Sequence, residues 1–218
     1  VRHLILPCAA LLLLTATACH SENPMTPSLA AAEQDVENGG RGLAKLNPSP
    51  TRGVELVVTV ADAPGTFQTI KGVAQYDVTN EAQCGHINEA TGTPARITSM
   101  EPFELTRVSD TEFRGTFFLD RMLDEDYYGR GVCHWEFSGA NAALQATGAA
   151  EETRFISRID KQGVAAGAPV TYHFVDKAYP RTDTDGYAYH GDTDTGALSP
   201  ELRDATFTVT LKTEGTAR

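Results

Sequence analysis

From about residue 53 onward, apolar side chains recur at every second position. A period of two marks strands that bury one face and expose the other. Val54, Leu56, Val58 and Val60 alternate with Glu55 and Thr59. Ile70, Ala74, Tyr76 and Val78 share one face, with Lys71, Gln75 and Asp77 on the other, and Ala63-Pro64-Gly65 marks a turn between these two runs. Phe113, Phe117 and Leu119 alternate with Arg114 and Thr116. Cys133, Trp135 and Phe137 alternate with His134, Glu136 and Ser138, and Phe207, Val209 and Leu211 with Thr206, Thr208 and Thr210. Fainter alternation covers 103–108, 142–147, 154–159 and 170–175. About eight or nine short strands with turn residues between them, and no long helical pattern, predict an all-β fold, an antiparallel β-sandwich. An up-and-down barrel is the alternative. The strand bearing Cys133, Trp135 and Phe137 is expected at the centre, with all three side chains inward.

The first residues follow a different pattern. Arg2 precedes an apolar run over 4–19, richest at Leu11-Leu12-Leu13-Leu14, and Ala16-Thr17-Ala18 lead into Cys19. At roughly 15 residues the run is shorter than the ~20 that a spanning helix needs, and it reads as a secretory signal. Ala16-Thr17-Ala18-Cys19 resembles the end of bacterial lipoprotein signal peptides, with Ala16 where that family usually has Leu. The resemblance implies that 1–18 is removed and that Cys19 becomes a lipid-modified N-terminus. By the same likeness, His20 after the cysteine implies the periplasmic side of the outer membrane. An ordinary signal peptide cut after Ala18 is the alternative. Each acyl chain contributes about 0.8 kcal/mol per buried methylene, so more than one makes a stable anchor. Residues 19–52, with Pro24, Pro27, Pro48, Pro50 and Gly39-Gly40, read as a tether. The sandwich is then expected over 53–213.

Composition narrows the partners. With 18 Lys and Arg against 29 Asp and Glu, the net charge is -11. Such a chain repels nucleic acid and attracts basic proteins or cations. Membrane contact is expected through the N-terminal lipid only. Four cysteines are present. Cys8 and Cys19 belong to the signal region, and Cys84 and Cys133 form an even pair in an oxidising compartment, expected to be bonded. The loop so closed is worth about 4 kcal/mol in the chain-entropy account. A disulfide beside Trp135 resembles the core of immunoglobulin-like domains, in architecture only, because the cysteine spacing differs.

Two acidic segments carry the candidate chemistry. Asp183, Asp185, Asp192 and Asp194 crowd into 181–196 with Gly186, Gly191 and Gly196, a composition that suits calcium. In an EF-hand register Arg181 would fall at the first ligand position, which argues for another geometry or for a solvated loop. Tyr187 and Tyr189 at its centre favour recognition of a partner. In the second segment, Asp124, Glu125 and Asp126 precede Tyr127 and Tyr128 between two strands, so an exposed docking loop is expected. On that reading Asp124→Lys leaves stability nearly unchanged, whereas Trp135→Ala costs several kcal/mol. His86 and Glu89, and His134 and Glu136, are spaced as metal ligands but too few for zinc. No G-x-S-x-G, no framed S-x-x-K and no phosphate-cradling glycine loop appears, and an enzyme is not expected.

Three functional readings follow. The first is a lipid-anchored, periplasm-facing protein without a cofactor that binds a basic exported protein. In size, export signal and acidity the chain resembles the immunity lipoproteins that protect bacteria from antibacterial effectors, which implies a cognate effector inhibited by occlusion. The second is a calcium- or ligand-binding envelope lipoprotein using Asp183, Asp185, Asp192 and Asp194. The third is a structural lipoprotein of envelope assembly.

Overall fold

A computed structural model describes residues 42–88 and 90–217, and in it the alternating segments form two five-stranded sheets. With strands numbered along the chain, the first sheet runs β4 (Thr106–Arg107), β5 (Glu112–Phe118), β1 (Gly53–Ala61), β10 (Thr206–Ala217) and β8 (Val170–Val175), all antiparallel. The second runs β3 (Thr98–Phe103), β2 (Thr69–Val78), β6 (Trp135–Gln145), β7 (Arg154–Asp160) and β9 (Ala188–His190). Its pairs are antiparallel except β7 with β9, which is parallel. Three short helices lie in the connections: α1 (Glu81–Cys84), α2 (Lys161–Ala166) and α3 (Pro200–Arg203). Among the described residues no helix is long and apolar enough to cross a membrane. The expected signal segment 1–18, Cys19 and the expected tether as far as residue 41 lie outside the described residues.

The inner faces are those that the period of two selects. Val54, Leu56, Val58 and Val60 of β1 and Phe207, Val209 and Leu211 of β10 meet Ala74 and Tyr76 of β2, Phe137, Ala140, Ala142 and Leu144 of β6, and Phe155 and Ile159 of β7 in one buried cluster. Each large apolar side chain so buried contributes about 1.5–3 kcal/mol of transfer free energy. The turn at Ala63-Pro64-Gly65 does not close a hairpin. It carries the chain from one sheet to the other, since β1 pairs with β5 and β10 while β2 pairs with β3 and β6.

β6 holds the expected central place, third of five, but it differs from the expectation in two ways. It is one strand of 11 residues, which also absorbs most of the run at 142–147. Gln75 pairs with Gly139 while Tyr76 pairs with Phe137, so Ser138 is an extra residue. The bulge moves the inward parity from Trp135 and Phe137 to Ala140, Ala142 and Leu144. The second difference concerns the inward trio. Cys133 precedes the strand, tied to Glu125 by an isolated bridge, and Trp135 is only half-buried.

β3 escapes a period-two reading because its polarity is inverted. Ser99 and Glu101 point inward, fully buried and 5% exposed, while Met100 is 48% exposed. The inward pair satisfies itself in part, Ser99 Oγ donating to Glu101 Oε1 at 2.6 Å. Of the run expected at 103–108, only the two residues of β4 are strand outside β3.

The disulfide Cys84–Cys133 is formed, with the sulfurs 2.06 Å and the Cα atoms 5.2 Å apart. Both cysteines are fully buried beside Val78 and Ile97, with Tyr127, Tyr128 and Trp135 packed against them. In the immunoglobulin family the bridge joins the two sheets. Here it joins the residues just after β2 and just before β6, which are neighbours in one sheet. Part of the expected tether belongs to this end of the fold. Asn47 N donates to Arg121 O at 2.8 Å, Leu123 N to Lys45 O at 3.0 Å, and Ala44 and Leu46 pack on the core.

Three carboxylates anchor the connections. Burial opposes the charge on each, but hydrogen bonds outweigh it and hold all three below the ordinary carboxylate range. Asp77 accepts from Thr98 Oγ1 at 2.5 Å and Arg96 at 2.9 Å. Asp120 accepts from Thr51 N at 2.9 Å and Arg52 N at 3.0 Å. Glu152 accepts from Thr147 N at 2.8 Å and Gly148 N at 2.9 Å. A depressed folded pKa gives stability that is fully present above the unfolded values of 3.8 and 4.5 and is lost as pH falls through the lower folded values. Thermal unfolding between pH 3 and pH 7 is expected to show a level melting temperature above about pH 5 and a steep fall below pH 4. A melting temperature that stays level to pH 3 would contradict these bonds.

Candidate functional site

The two tyrosine-bearing acidic segments lie at opposite ends of the sandwich. The connection 119–134 enters β6 at Trp135, whereas 176–205 joins β8 to β10 where β6 finishes, with Ala188 and Tyr189 paired to the first residues of β7. An 11-residue β6 separates them by roughly 33 Å. They cannot form one docking surface.

The segment 124–128 is engaged with its own domain. Asp124 accepts from Trp135 N at 2.9 Å and contacts His134 Nδ1 at 2.8 Å. Glu125 pairs with Lys45 at 2.6 Å and its carbonyl accepts from Cys133 N. Asp126 accepts from Arg130 N at 3.0 Å, and the Arg130 guanidinium donates to Gly85 O. The Tyr127 hydroxyl donates to Leu123 O, and burial raises its pKa against the opposing N–H groups of Lys45 and Trp135. Tyr128 packs on the disulfide. These groups hold the chain around Cys84–Cys133. The expectation for Asp124→Lys therefore reverses: it leaves Trp135 N unpaired and sets a cation beside His134. A loss of about 1 kcal/mol is expected, limited by the 46% exposure of the carboxylate. The urea midpoint measures it, and an unchanged midpoint would return this loop to the free state that the sequence suggests.

The segment 181–196 is built differently. Its backbone is pinned: Arg154 N donates to Tyr187 O at 2.8 Å, Gly186 N to Glu151 O at 3.2 Å, and His173 and Asp192 exchange backbone bonds at 2.8 and 3.1 Å. Gly186 has φ 63°, a conformation that favours glycine. Gly191 lies flat on the Phe174 ring, where a Cβ would fall 2.6 Å from ring carbon. The two tyrosines part company. Tyr189 turns into the core, its ring 5.3 Å from Phe174 and 6.2 Å from Phe155, while Tyr187 stays 43% exposed with its ring 6.0 Å from Tyr189. Together they wall a cleft of about 420 Å³ with Val175 and Ala178 in its lining and Lys177, Arg181 and Asp183 around it. Lys177 and Arg181 play no part in the expected site, although their charge in this segment is plain in the sequence.

The side chains of Asp183, Asp185, Asp192 and Asp194 are all exposed, and among the described residues none of them forms an ion pair. Asp194 accepts from Gly196 N at 2.7 Å within its own turn. Among the described residues no three His, Cys, Asp or Glu side chains gather as metal ligands. His134 is bonded to Asp124 and Glu136 to Lys161 at 2.7 Å. Glu89, the expected companion of His86, lies outside the described residues. Over 176–205 there are seven acidic residues against three basic ones, so this end carries a large part of the chain's net charge.

Comparison with protein families, with curated proteins and with solved structures returns no match to this chain.

Proposed function

We propose that this chain binds a basic exported protein, and that the partner docks on the end of the sandwich formed by 176–205. The observation that carries the reading is the set of four exposed aspartates in the segment of Tyr187 that form no ion pair among the described residues, in a connection where seven acidic residues outnumber three basic ones. Their field extends outward and speeds the encounter with a positive surface. A rigid, amphipathic tyrosine at the centre supplies buried area once the partner has arrived. The pinned backbone of the segment lowers the ordering cost of the complex. The sharpest form of the proposal is an immunity protein, anchored through a lipid on Cys19 at the periplasmic side of the outer membrane, that inhibits a secreted antibacterial effector by covering its active cleft. The self-engaged loop at 124–128 then serves the fold.

The test is binding to the product of the adjacent gene. The variant Asp183→Asn, Asp185→Asn, Asp192→Asn, Asp194→Asn is expected to weaken the complex at least about tenfold at low salt, mostly through a slower association rate, and to flatten its salt dependence. Its melting temperature should stay unchanged. Equal binding by this variant and the parent chain would overturn the docking site. A melting temperature of the parent chain that rises with millimolar calcium would assign the aspartates to the cation instead.

A further inference from the structure

At the other end of the molecule, α2 crosses the opening between the two sheets. Asp160 caps it, its carboxylate accepting from Gly163 N at 2.7 Å, and Gly167 ends it with φ 64°, its N–H bonded to Gly163 O at 3.0 Å. The helix is well capped, yet none of its six residues is buried. Val164 packs on the core, and the helix leaves two adjoining hollows of about 210 and 300 Å³. Leu119, Val164 and Ala165 line both. Trp135 and Phe137 extend the first hollow, and Val54 extends the second. The result is an elongated slot with mostly apolar walls, and Trp135, Leu119 and Val164 are only half-buried because of it.

The charges near the slot are not equivalent. Lys161 and Glu136 both line the first hollow and pair with each other at 2.7 Å, so their charges offset. Arg52, which also lines the first hollow, has no ion pair and no side-chain hydrogen bond among the described residues. Only its backbone is engaged, its N–H donating to Asp120 at 3.0 Å and its carbonyl accepting from Leu119 N at 2.9 Å. A guanidinium presents a rigid fork of donors that matches a carboxylate.

We propose that this slot binds a single-chain fatty carboxylate, the chain lying between α2 and the strand ends and the head group on Arg52. An apolar channel closed by one unpaired cation is complementary to that amphiphile: burial of methylenes supplies affinity, and the carboxylate sets the direction. Beyond Arg52 and the mutually paired Lys161 and Glu136, the walls of Leu119, Phe137, Val164 and Ala165 offer a sugar or nucleotide no convergent polar groups. The inference is independent of the docking face, which lies at the far end of the sandwich.

The chain has one tryptophan, and it lines the slot, so its fluorescence reports occupancy directly. Decanoate, added below its micelle concentration, is expected to shift Trp135 emission saturably, while acetate does nothing. Arg52→Gln should weaken decanoate about tenfold, the loss of one charge-assisted hydrogen bond, and leave decanol unaffected. Ala165→Phe, at an exposed position of α2, should abolish both responses without lowering the melting temperature. No saturable shift with decanoate would overturn the proposal. So would decanoate binding that Arg52→Gln leaves unchanged.

Discussion

Phe155→Ala is expected to lower the unfolding free energy by about 4 kcal/mol, the middle of the range for aromatic truncation in a packed core. Phe155 is fully buried in β7, and its ring meets five others: Phe67 at 5.7 Å, Phe174 at 5.4 Å, Tyr179 at 6.4 Å, Tyr189 at 6.2 Å and Phe207 at 5.1 Å. Removing it opens a cavity whose walls come from both sheets and from the 176–205 connection, so collapse from one side cannot refill it. Denaturant unfolding measures the loss as a lower midpoint at unchanged slope. The substitution also reaches the proposed docking face, since Tyr189 loses a neighbouring ring and Tyr187 lies tilted against Tyr189, 6.0 Å between centroids. Binding of the basic partner should weaken together with stability, whereas Tyr187→Ala should weaken binding alone. Trp135→Ala, which the sequence suggests costs several kcal/mol, should fall below Phe155→Ala because Trp135 is only partly buried whereas Phe155 is fully so. A Trp135→Ala cost equal to that of Phe155→Ala would show that the aromatic cluster is not the principal core.

Replacing both Cys84 and Cys133 by Ser costs about 4 kcal/mol. The bridge spans 49 residues, and opening it returns that loop to the unfolded chain with its full conformational freedom. The native state loses packing as well. Val78 and Ile97 share the sulfur cluster, and Tyr127, Tyr128 and Trp135 lean on it. Urea unfolding of the double variant should show the loss, and reduction of the parent chain should reproduce most of it. The effect is polarised along the molecule. Amide exchange should accelerate in α1 and in 119–134, while 176–205 keeps its protection. A variant that still binds the basic partner at 25 °C, but melts earlier, is the expected phenotype. Lost binding with retained stability would place the docking face at the disulfide end instead.

Most of the sandwich is legible without coordinates because burial on one face imprints a period of two. β1, β7, β8 and the first half of β10 lie where the alternation puts them, and the central place of β6 follows from the Cys133-Trp135-Phe137 run. The exceptions have physical causes. β3 turns Ser99 and Glu101 inward, so its pattern is inverted. β6 changes parity at Ser138, so one strand reads as two. β9 is three residues long and pairs in parallel with a strand some 30 positions earlier, which local pattern does not encode.

The candidate site shows the same division. Which residues carry charge and which carry rings is written in the chain, and so is the pairing of Cys84 with Cys133 once Cys8 and Cys19 are assigned to the expected signal segment. Two acidic segments with two tyrosines each are hard to rank at that level. The fold decides between them. It supplies Lys45, His134, Arg130 and the Trp135 amide to 124–128, and among the described residues it gives Asp183, Asp185, Asp192 and Asp194 no ion pair. The slot beneath α2 and the guanidinium of Arg52, unpaired among the described residues, likewise depend on how strand ends and a helix far apart in sequence meet. Patterning along a chain records how often each residue faces the core. Whether a charge finds a partner depends on neighbours brought close by folding, and those distances exist only in three dimensions.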